Sequence, residues 1–411
     1  MSKARERTPI SHARLRSRPG LTLVRWLLSA VAVVAVSGVA VAAVATWDVA
    51  RSFKPPVALE HTEGEHVPSI GAYEGGLNFL LVGDDSGGGN PAYGKRGEKL
   101  NDVTVLIHLD GDHKNATIVT FPRDMFVKIP SCPREGGGHY SAMSSQKINV
   151  SYSYGGLPCT AKTVEELTGL TVSYAADVAF DGAIAIADAV GGVEVCLADP
   201  IIDRYTNPPL DLPAGTVKLE GPTAISFLRS RHGVGDGSDL GRVSNQQLFF
   251  AALVRQTRDQ LSDIPRLYKI AKVAAKNMTL SENLSDVGTL VQIALAFKNI
   301  DFDSIVFVQY PNHYPGGQEP DVNGVLPTKA AAEQLMTALR DDKPVVLTGG
   351  TGGAGATQLD TSQPTPPAEA GGAQTTDAAA TPGSADGAVT LPDNVYGQTA
   401  AQHTCTVQYH G

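Results

Sequence analysis

Carboxylates and an arginine stand where short apolar runs of the sequence begin or end. Asp85 follows the run at residues 77–82, Asp102 precedes a second run, and Arg123 follows a third. If these runs are neighbouring strands that go up, down and up, the three side chains meet at one edge of a sheet. Two carboxylates can hold Mg²⁺ (or Mn²⁺) there, and the arginine can hold a phosphate. Taken singly, each residue is more simply explained as part of a turn.

Further cationic residues follow along the chain. Lys147 opens a segment that ends in two glycines, and a single lysine near a helix start is usually solvated. Arg229 and Arg231 are separated by one residue, which suggests a bidentate phosphate clamp but suits a solvated helix end equally well.

The helix predicted from residue 240 carries a stripe that changes character along its length. Asp239, Arg242 and Gln246 lie at spacings of three and four and therefore share one face. The same face continues into Phe250 and Val254, so it is polar in its first two turns and apolar afterwards. Because burying Arg and Asp is costly unless they are paired or bind something, this pattern predicts a charged site at the mouth of an apolar interior.

The elements that must position these side chains alternate between strands and helices. This mixture predicts an α/β fold, a three-layer α/β/α domain with a central mixed sheet, after one N-terminal transmembrane helix. The predicted strands are 77–82, 103–109, 116–121, 193–197 and 305–309, and the predicted helices are 160–169, 182–190, 222–229, 240–261, 284–298 and 328–340.

An uncharged apolar run extends from Trp26 to Trp47 and is long enough to cross a bilayer core of about 30 Å. Seven basic residues precede it. We therefore expect the N-terminus on the cytoplasmic side of the cytoplasmic membrane and the chain after the run on the outer side. The alternative is a cleaved signal peptide, cut near small residues such as Ala43 and Ala45. The length of the run favours an uncleaved anchor, since signal peptides have apolar regions of about 7–15 residues.

Composition narrows the possible partners. The net charge is -9, and the part of the chain after the apolar run is acidic, which argues against a nucleic-acid partner. Four cysteines suit an oxidising location, and three pairings remain open among Cys132, Cys159, Cys196 and Cys405. No CxxC pair suggests a zinc site, and scattered histidines such as His108 are interpreted as surface or core residues.

Composition also divides the chain into segments. The prediction is a cytoplasmic basic tail at 1–25, a transmembrane helix at 26–47, an extracytoplasmic tether at 48–74 and the main domain at 75–345. A linker rich in Gly, Ala, Thr and Pro, expected to be disordered, follows at 346–388. The last segment, 389–411, regains large apolar residues and is expected to pack on the domain.

Taken in order after an apolar run, these motifs resemble the LytR-CpsA-Psr family of cell-wall glycopolymer ligases, particularly its actinobacterial members. The resemblance covers roughly residues 75–340, and the motifs are specific as an ordered set rather than singly. They are NFLLVGDD at 78–85, NDV at 101–103, FPRD at 121–124, KIN at 147–149, YGG at 154–156, DAVGGV at 188–193, RSR at 229–231, DLGR at 239–242 and QQ at 246–247.

The resemblance implies a phosphotransferase at the outer membrane face. Such enzymes move a glycopolymer phosphate from a polyprenyl-diphosphate carrier to the C6 hydroxyl of N-acetylmuramic acid in peptidoglycan and release polyprenyl phosphate. The lipid is expected in a hydrophobic tunnel between sheet and helices, so membrane lipid and peptidoglycan are the implied partners. The alternatives are a polyprenyl-diphosphate pyrophosphatase and a non-catalytic, polyprenyl-phosphate-binding regulatory membrane protein.

The resemblance also assigns roles to individual residues. It identifies Asp85 and Asp102 as Mg²⁺ ligands and Arg123 as a catalytic residue. The sequence does not specify the general base, for which Asp102 and Asp124 are the candidates. Two positions depart from the family pattern, since Leu100 and Asn245 stand where arginines are usual. The transferred polymer (arabinogalactan, teichoic acid or capsule) and the oligomeric state stay open. The implied diphosphate-binding residues are Arg123, Lys147, Arg229, Arg231, Asp239, Arg242 and Gln246.

Overall fold

The computed structural model describes residues 19–59, 76–84, 99–134, 136–259, 263–351, 356–358 and 387–409. Asp85, much of the predicted tether and most of the predicted linker lie outside these ranges. The chain divides into two compact units, Met1–Asp48 and Val49–Gly411.

The first unit is dominated by helix α1 (Pro19–Ala50). Its segment Trp26–Ala50 has 25 residues and a mean hydropathy of 2.5. At 1.5 Å per residue this segment exceeds the roughly 30 Å of a bilayer core, so its length and composition suffice to cross a membrane. Most of its side chains are exposed, including Val34 and Trp47, as expected for a helix that is not part of a soluble core.

The second unit contains the remaining helices. The helix predicted at 160–169 is the second part of a longer element that begins at Val150 and is kinked at Gly155 and Gly156, where the backbone angles are not helical. Gly156 has a φ of 63°, which explains why a side chain is missing there. The helices are α2 (Val150–Thr168), α3 (Phe180–Val190), α4 (Gly221–Arg229), α5 (Asp239–Asp259), α6 (Ile264–Asn277), α7 (Val287–Lys298) and α8 (Lys329–Arg340).

The strands range from two to nine residues. In chain order they are β1 (Leu77–Asp84), β2 (Asn101–Leu109), β3 (Ala116–Phe121), β4 (Phe126–Ile129), β5 (Cys132–Pro133), β6 (His139–Tyr140), β7 (Met143–Lys147), β8 (Tyr174–Ala179), β9 (Val193–Leu197), β10 (Ile201–Asp203), β11 (Leu210–Leu212), β12 (Gly215–Leu219), β13 (Met278–Leu280), β14 (Ile305–Gln309), β15 (Asn312–His313), β16 (Leu326–Pro327), β17 (Val345–Val346), β18 (Ala356–Gln358), β19 (Val389–Thr390), β20 (Gly397–Thr399) and β21 (Thr404–Thr406).

A seven-stranded sheet forms the centre of the second unit, in the order β13-β8-β1-β2-β3-β14-β20. The pairs β1–β2 and β2–β3 are antiparallel, whereas β1–β8 and β3–β14 are parallel, so the sheet is mixed, as predicted. Asp84 pairs with Asn101, and Thr104 pairs with Phe121. The end of β1, the start of β2 and the end of β3 therefore lie at one edge, which confirms the up, down and up arrangement.

Apolar clusters cover both faces of this sheet. Leu80, Val82 and Leu106 point into one cluster, where α2 and α8 contribute side chains such as Val164 and Leu335. The opposite cluster receives side chains from α5 and α7. Helices on both faces of one sheet make the three-layer α/β/α domain that the sequence predicts.

The C-terminal segment is part of this domain. Strand β20 pairs with β14 at the edge of the main sheet, and β21 pairs with β9 and β18 in a second sheet. Disulfides join Cys132 to Cys159 and Cys196 to Cys405. The second disulfide fastens β21 to β9, so the segment 389–409 is held both by backbone hydrogen bonds and by a covalent link.

Candidate diphosphate and metal site

Asp102 and Arg123 meet at the sheet edge where β1 and β3 end. Asp102 is the second residue of β2, and Arg123 lies two residues past β3. The Arg123 Nη1 donates a hydrogen bond to Asp102 Oδ1. The convergence inferred from strand direction is therefore seen for two of the three residues, and the third, Asp85, lies outside the described residues.

The charges of this pair stabilise one another. Burial by itself raises the pKa of Asp102, but Arg123 and Arg242 outweigh it and hold the pKa below its usual range. Burial likewise lowers the pKa of Arg123, and Asp102, Asp239 and Asp124 together raise it above its usual value. Both side chains are consequently charged at neutral pH. Asp102 is thus better suited to binding cations than to accepting a proton.

The start of α5 supplies the next layer of the cluster. Asp239 Oδ1 accepts hydrogen bonds from Arg242 Nη2 at 2.5 Å and from Arg231 Nη2 at 2.6 Å. The Nε of Arg123 lies 3.8 Å from the same carboxylate oxygen. Arg242 is only 2% exposed, and burial lowers its pKa. The polar part of the α5 stripe is therefore buried among ion pairs.

Asp124 connects the remaining cations. Its Oδ1 is 3.0 Å from Lys147 Nζ, and its Oδ2 is 3.6 Å from Arg231 Nη2. Lys147 reaches this position because β7 pairs with β4, which begins just after Asp124. The Asp124 side chain is 21% exposed, against 6% for Asp102. Asp124 is thus the more accessible of the two predicted proton acceptors.

Arg229 and Gln246 lie close to the cluster in different roles. The Arg229 guanidinium stacks 4.6 Å from the ring centre of Phe180, and its charge helps to lower the pKa of Asp102. Gln246 Nε2 donates to the Leu228 carbonyl at 3.0 Å. Gln246 therefore holds the end of α4, the helix whose last residue is Arg229, next to α5.

Several buried polar atoms of the cluster have no hydrogen-bond partner within the described part of the chain. They include Nε of Arg123, Nε of Arg242 and Oδ2 of Asp239. An unsatisfied buried donor costs about 1–3 kcal/mol, so an acceptor from a ligand would remove this cost. Among the described residues the cluster holds five cationic side chains and three carboxylates, which favours an anion.

Asp102 is the described member of the predicted pair of metal ligands. The adjacent Asn101 is fully buried, and its Oδ1 has no hydrogen-bond partner among the described residues. Successive side chains of a strand point to opposite faces, so Asp102 rather than Asn101 offers the carboxylate oxygen that a hard divalent cation prefers at this edge. The described half of the predicted ligand set therefore fits Mg²⁺ or Mn²⁺, and Asp85 follows directly from the end of β1.

An apolar sheet face lies beside this edge. Phe79 and Leu81 on β1 and Ile107 on β2 are only partly buried, although they lie within paired central strands of the sheet. Leu80 and Leu106, on the other face of the same strands, are 0% exposed. Packed interiors leave few voids, so this difference shows that α5 and α7 cover the first face incompletely. Helix α7 also has no fully buried side chain.

A buried acidic pair next to the site was missed in the sequence. Asp177 on β8 lies beside Asp84, and the Tyr152 hydroxyl donates to Asp177 Oδ2 at 2.8 Å. Burial and the neighbouring Asp84 carboxylate raise the pKa of Asp177 to about 7. The adjacent Asp84 and Asp85 indicate an acidic site in the sequence. The parallel pairing of β8 with β1, which brings Asp177 to Asp84, has no local sequence signal.

The fold and the cluster define an α/β protein with a buried, cationic side-chain cluster at one edge of its central sheet. The chain belongs to the LytR_cpsA_psr family, whose model matches residues 48–341. It is 29% identical over 276 residues to the probable cell wall biosynthesis protein LcpB of Corynebacterium glutamicum, covering 64% of this chain and 61% of that protein. It is 28% identical to the LcpA protein of the same organism and spans 52% of its length.

Other relatives carry more specific names. The chain is 28% identical over 233 residues to the Bacillus subtilis polyisoprenyl-teichoic acid–peptidoglycan teichoic acid transferase TagT, covering 55% of this chain and 66% of that one. Among solved structures, it is similar to a LytR-Csp2A-Psr enzyme from Actinomyces oris at 19% identity and a TM-score of 0.52, covering 70% and 95% of the two chains. A structure of TagT bound to LIIa-WTA gives 22% identity, a TM-score of 0.52, and coverage of 70% and 98%.

Proposed function

We propose that the protein is a phosphotransferase that moves a glycopolymer phosphate from a polyprenyl-diphosphate carrier to the C6 hydroxyl of N-acetylmuramic acid in peptidoglycan, releasing polyprenyl phosphate. The observation that carries the proposal is a buried, net cationic cluster beside an incompletely covered apolar sheet face; in it, Nε of Arg123 and Nε of Arg242 have no hydrogen-bond partner among the described residues. A polyprenyl diphosphate combines an anionic headgroup with an apolar chain and so matches both features.

The names of the relatives support the same class of reaction. TagT is named as a transferase that acts on polyisoprenyl-teichoic acid and peptidoglycan, and LcpB as a cell wall biosynthesis protein. Membership of the same family makes a cell-wall transferase the most economical function for this chain. The polymer itself is not specified by any of the described contacts.

The proposed chemistry uses this cluster to neutralise phosphate charge. The bond between the acceptor C6 oxygen and phosphorus forms while the bond from phosphorus to the polyprenyl phosphate oxygen breaks. Arg123, Arg231 and Arg242 would hold the phosphate oxygens, and such positioning and charge neutralisation account for most catalysis of phosphoryl transfer. The acceptor proton would pass to Asp124. Asp102 is the weaker base, because Arg123 and Arg242 hold its pKa below the usual range.

Two further groups complete the proposal. A Mg²⁺ or Mn²⁺ ion, held by Asp102 and Asp85, would supply additional positive charge to the diphosphate. The arginines, Lys147 and Asp239 would orient the headgroup, and the partly buried Phe79 and Leu81 would contact the isoprenoid chain.

The location is proposed on the same grounds. Helix α1 would cross the cytoplasmic membrane once with the N-terminus inside, placing the main domain outside. The disulfides Cys132–Cys159 and Cys196–Cys405 are consistent with an oxidising compartment. A substrate whose tail stays in the bilayer would then meet a tethered domain at high effective concentration.

Product identification separates this function from its alternatives. The full chain in detergent is incubated with a labelled polyprenyl-diphosphate glycan, Mg²⁺ and peptidoglycan oligomers. Label on the peptidoglycan is the expected result. Glycan phosphate or inorganic phosphate released equally with and without the acceptor would instead indicate a pyrophosphatase, and binding without turnover would indicate a non-catalytic lipid-binding protein.

A further inference from the structure

A second polar cluster, formed by His108, Asp110 and Asp342, lies at the opposite edge of the main sheet. His108 is the penultimate residue of β2, Asp110 follows that strand, and Asp342 follows α8. His108 is six residues from Asp102 along the same strand, which corresponds to about 20 Å at 3.3–3.4 Å per residue. This cluster is therefore separate from the proposed diphosphate site.

Hydrogen bonds fix the orientation of the His108 ring. Asn78 Nδ2 donates to the Thr171 carbonyl at 2.9 Å, so the amide oxygen Oδ1 is the atom that faces His108 Nδ1, at 2.8 Å. An amide oxygen only accepts hydrogen bonds, so Nδ1 carries the hydrogen and a neutral ring has its lone pair on Nε2. A histidine whose second nitrogen is oriented in this way is the usual form of a metal ligand.

The three candidate ligand atoms have the spacing of a coordination shell. His108 Nε2 lies 3.4 Å from Asp110 Oδ1 and 3.6 Å from Asp342 Oδ1, and one ligand atom from each residue falls within 4.8 Å of the others. These separations exceed the roughly 2.7–2.9 Å of a charge-assisted hydrogen bond. Metal–ligand bonds of about 2.0–2.2 Å in tetrahedral geometry place neighbouring ligand atoms about 3.3–3.6 Å apart, and both separations from His108 Nε2 fall in this range.

Burial supplies the independent indication of a ligand. His108 is 4% exposed, and its Nε2 has no hydrogen-bond partner among the residues that the structure describes. Asp110 is 2% exposed, and its Oδ2 is equally unpartnered. Two carboxylates facing a buried lone pair are costly unless a proton or a metal ion lies between them, because buried charges must be compensated.

We propose that His108, Asp110 and Asp342 bind one divalent transition-metal ion, for which Zn²⁺ is the best match. One imidazole nitrogen and two carboxylate oxygens are a mixed ligand set that zinc accepts, and histidine disfavours Mg²⁺ and Ca²⁺. The Asp342 side chain is 50% exposed, so a fourth position faces solvent and can hold water. The ion joins the end of β2 to the segment after α8 and therefore stabilises the domain.

The test uses the full chain in detergent, stripped of metal with a chelator and kept in excess Mg²⁺ to saturate oxygen-only sites. Zn²⁺ alone is titrated by calorimetry, and the melting temperature is recorded with and without it. The expected result is one Zn²⁺ per chain at this site and a higher melting temperature. Asp342→Asn should weaken this binding by at least roughly tenfold. Removing a residue that only hydrogen-bonds to a metal ligand already costs about that much, and removing a ligand should cost no less.

Two further variants complete the test. Asp112→Asn removes an exposed carboxylate from the same turn and should leave Zn²⁺ binding unchanged. His108→Gln should abolish the binding, and Asp342→Asn, whose side chain is half exposed, gives the same information if the buried variant does not fold. Equal Zn²⁺ affinity in Asp342→Asn and the unmodified chain, or no Zn²⁺ binding in either, would overturn the proposal and leave the cluster as an ion-paired imidazolium.

Discussion

The Thr406 hydroxyl donates a hydrogen bond to Asn245 Oδ1 across 2.6 Å inside the domain. Asn245 Nδ2 in turn donates to the Phe227 carbonyl at 2.9 Å. Asn245 precedes Gln246 on α5, at a position where the family resemblance leads one to expect an arginine. In this chain the position instead links the C-terminal strand β21 to α5 and to the end of α4.

Thr406→Val should therefore destabilise the domain. Thr406 and Asn245 are both 0% exposed, so the substitution leaves the Asn245 oxygen buried without a donor. The expected loss is about 1–3 kcal/mol in the free energy of unfolding, measured by urea denaturation. Thr390→Val is the control because Thr390 is exposed, and it should change stability by less than about 0.5 kcal/mol. Equal losses in the two variants would contradict this interpretation.

The buried Asp84–Asp177 pair should make the stability of the domain depend on pH. The pKa of Asp177 is raised to about 7 by burial and by Asp84, whereas its ordinary value is 3.8. The folded chain therefore binds a proton that the unfolded chain releases, and stability falls as pH rises from about 4 to about 7. Above that range this contribution is constant. The upper limit of the loss is about 4 kcal/mol.

Asp177→Asn should remove this pH dependence while still accepting the Tyr152 hydrogen bond. Urea denaturation across this pH range should give a flatter stability profile for Asp177→Asn than for the unmodified chain. Asp211→Asn, at an exposed position on β11, should keep the original slope. An Asp177→Asn profile as steep as that of the unmodified chain would show that Asp177 is not the titrating group.

Arg229→Ala tests the margin of the proposed phosphate site. Arg229 lies against Phe180, and its charge acts on Asp102, so its loss should weaken binding of the transition state. We expect kcat/KM for transfer to fall about 30-fold or more, equivalent to about 2 kcal/mol. The exposed Arg204 offers a matched control, and Arg204→Ala should have no effect. A loss below about 0.5 kcal/mol for Arg229→Ala, the scale of an exposed ion pair, would be incompatible with this role.

Three central strands of the sheet and the residues of the cluster follow from local sequence signals. Strands β1, β2 and β3 are apolar runs bounded by Asp, Asn, Gly or Pro, and the change from polar to apolar along α5 predicts the buried Arg242. These features are encoded within a few residues of one another, so a single sequence suffices to predict them.

Long-range pairing could not be predicted in the same way. The Phe307 pairing with Gln398 that adds β20 to the sheet joins segments far apart in the sequence, with no local signal in either. The helix predicted at 160–169 is the second part of α2, since Gly155 and Gly156 leave helical geometry and kink the chain before it. Asp342 likewise reaches His108 only through the packing of α8.

Arg123 is the phosphate-binding residue on which the proposed transferase activity depends most directly. Transfer of labelled glycan to peptidoglycan oligomers is measured for the unmodified chain, Arg123→Ala, Arg123→Lys and the exposed control Arg204→Ala, with melting temperatures confirming that each is folded. We predict that Arg123→Ala loses transfer by at least roughly 100-fold, as when an oxyanion donor is removed, while Arg204→Ala retains it. Full transfer activity in a folded Arg123→Ala variant would contradict the proposed site.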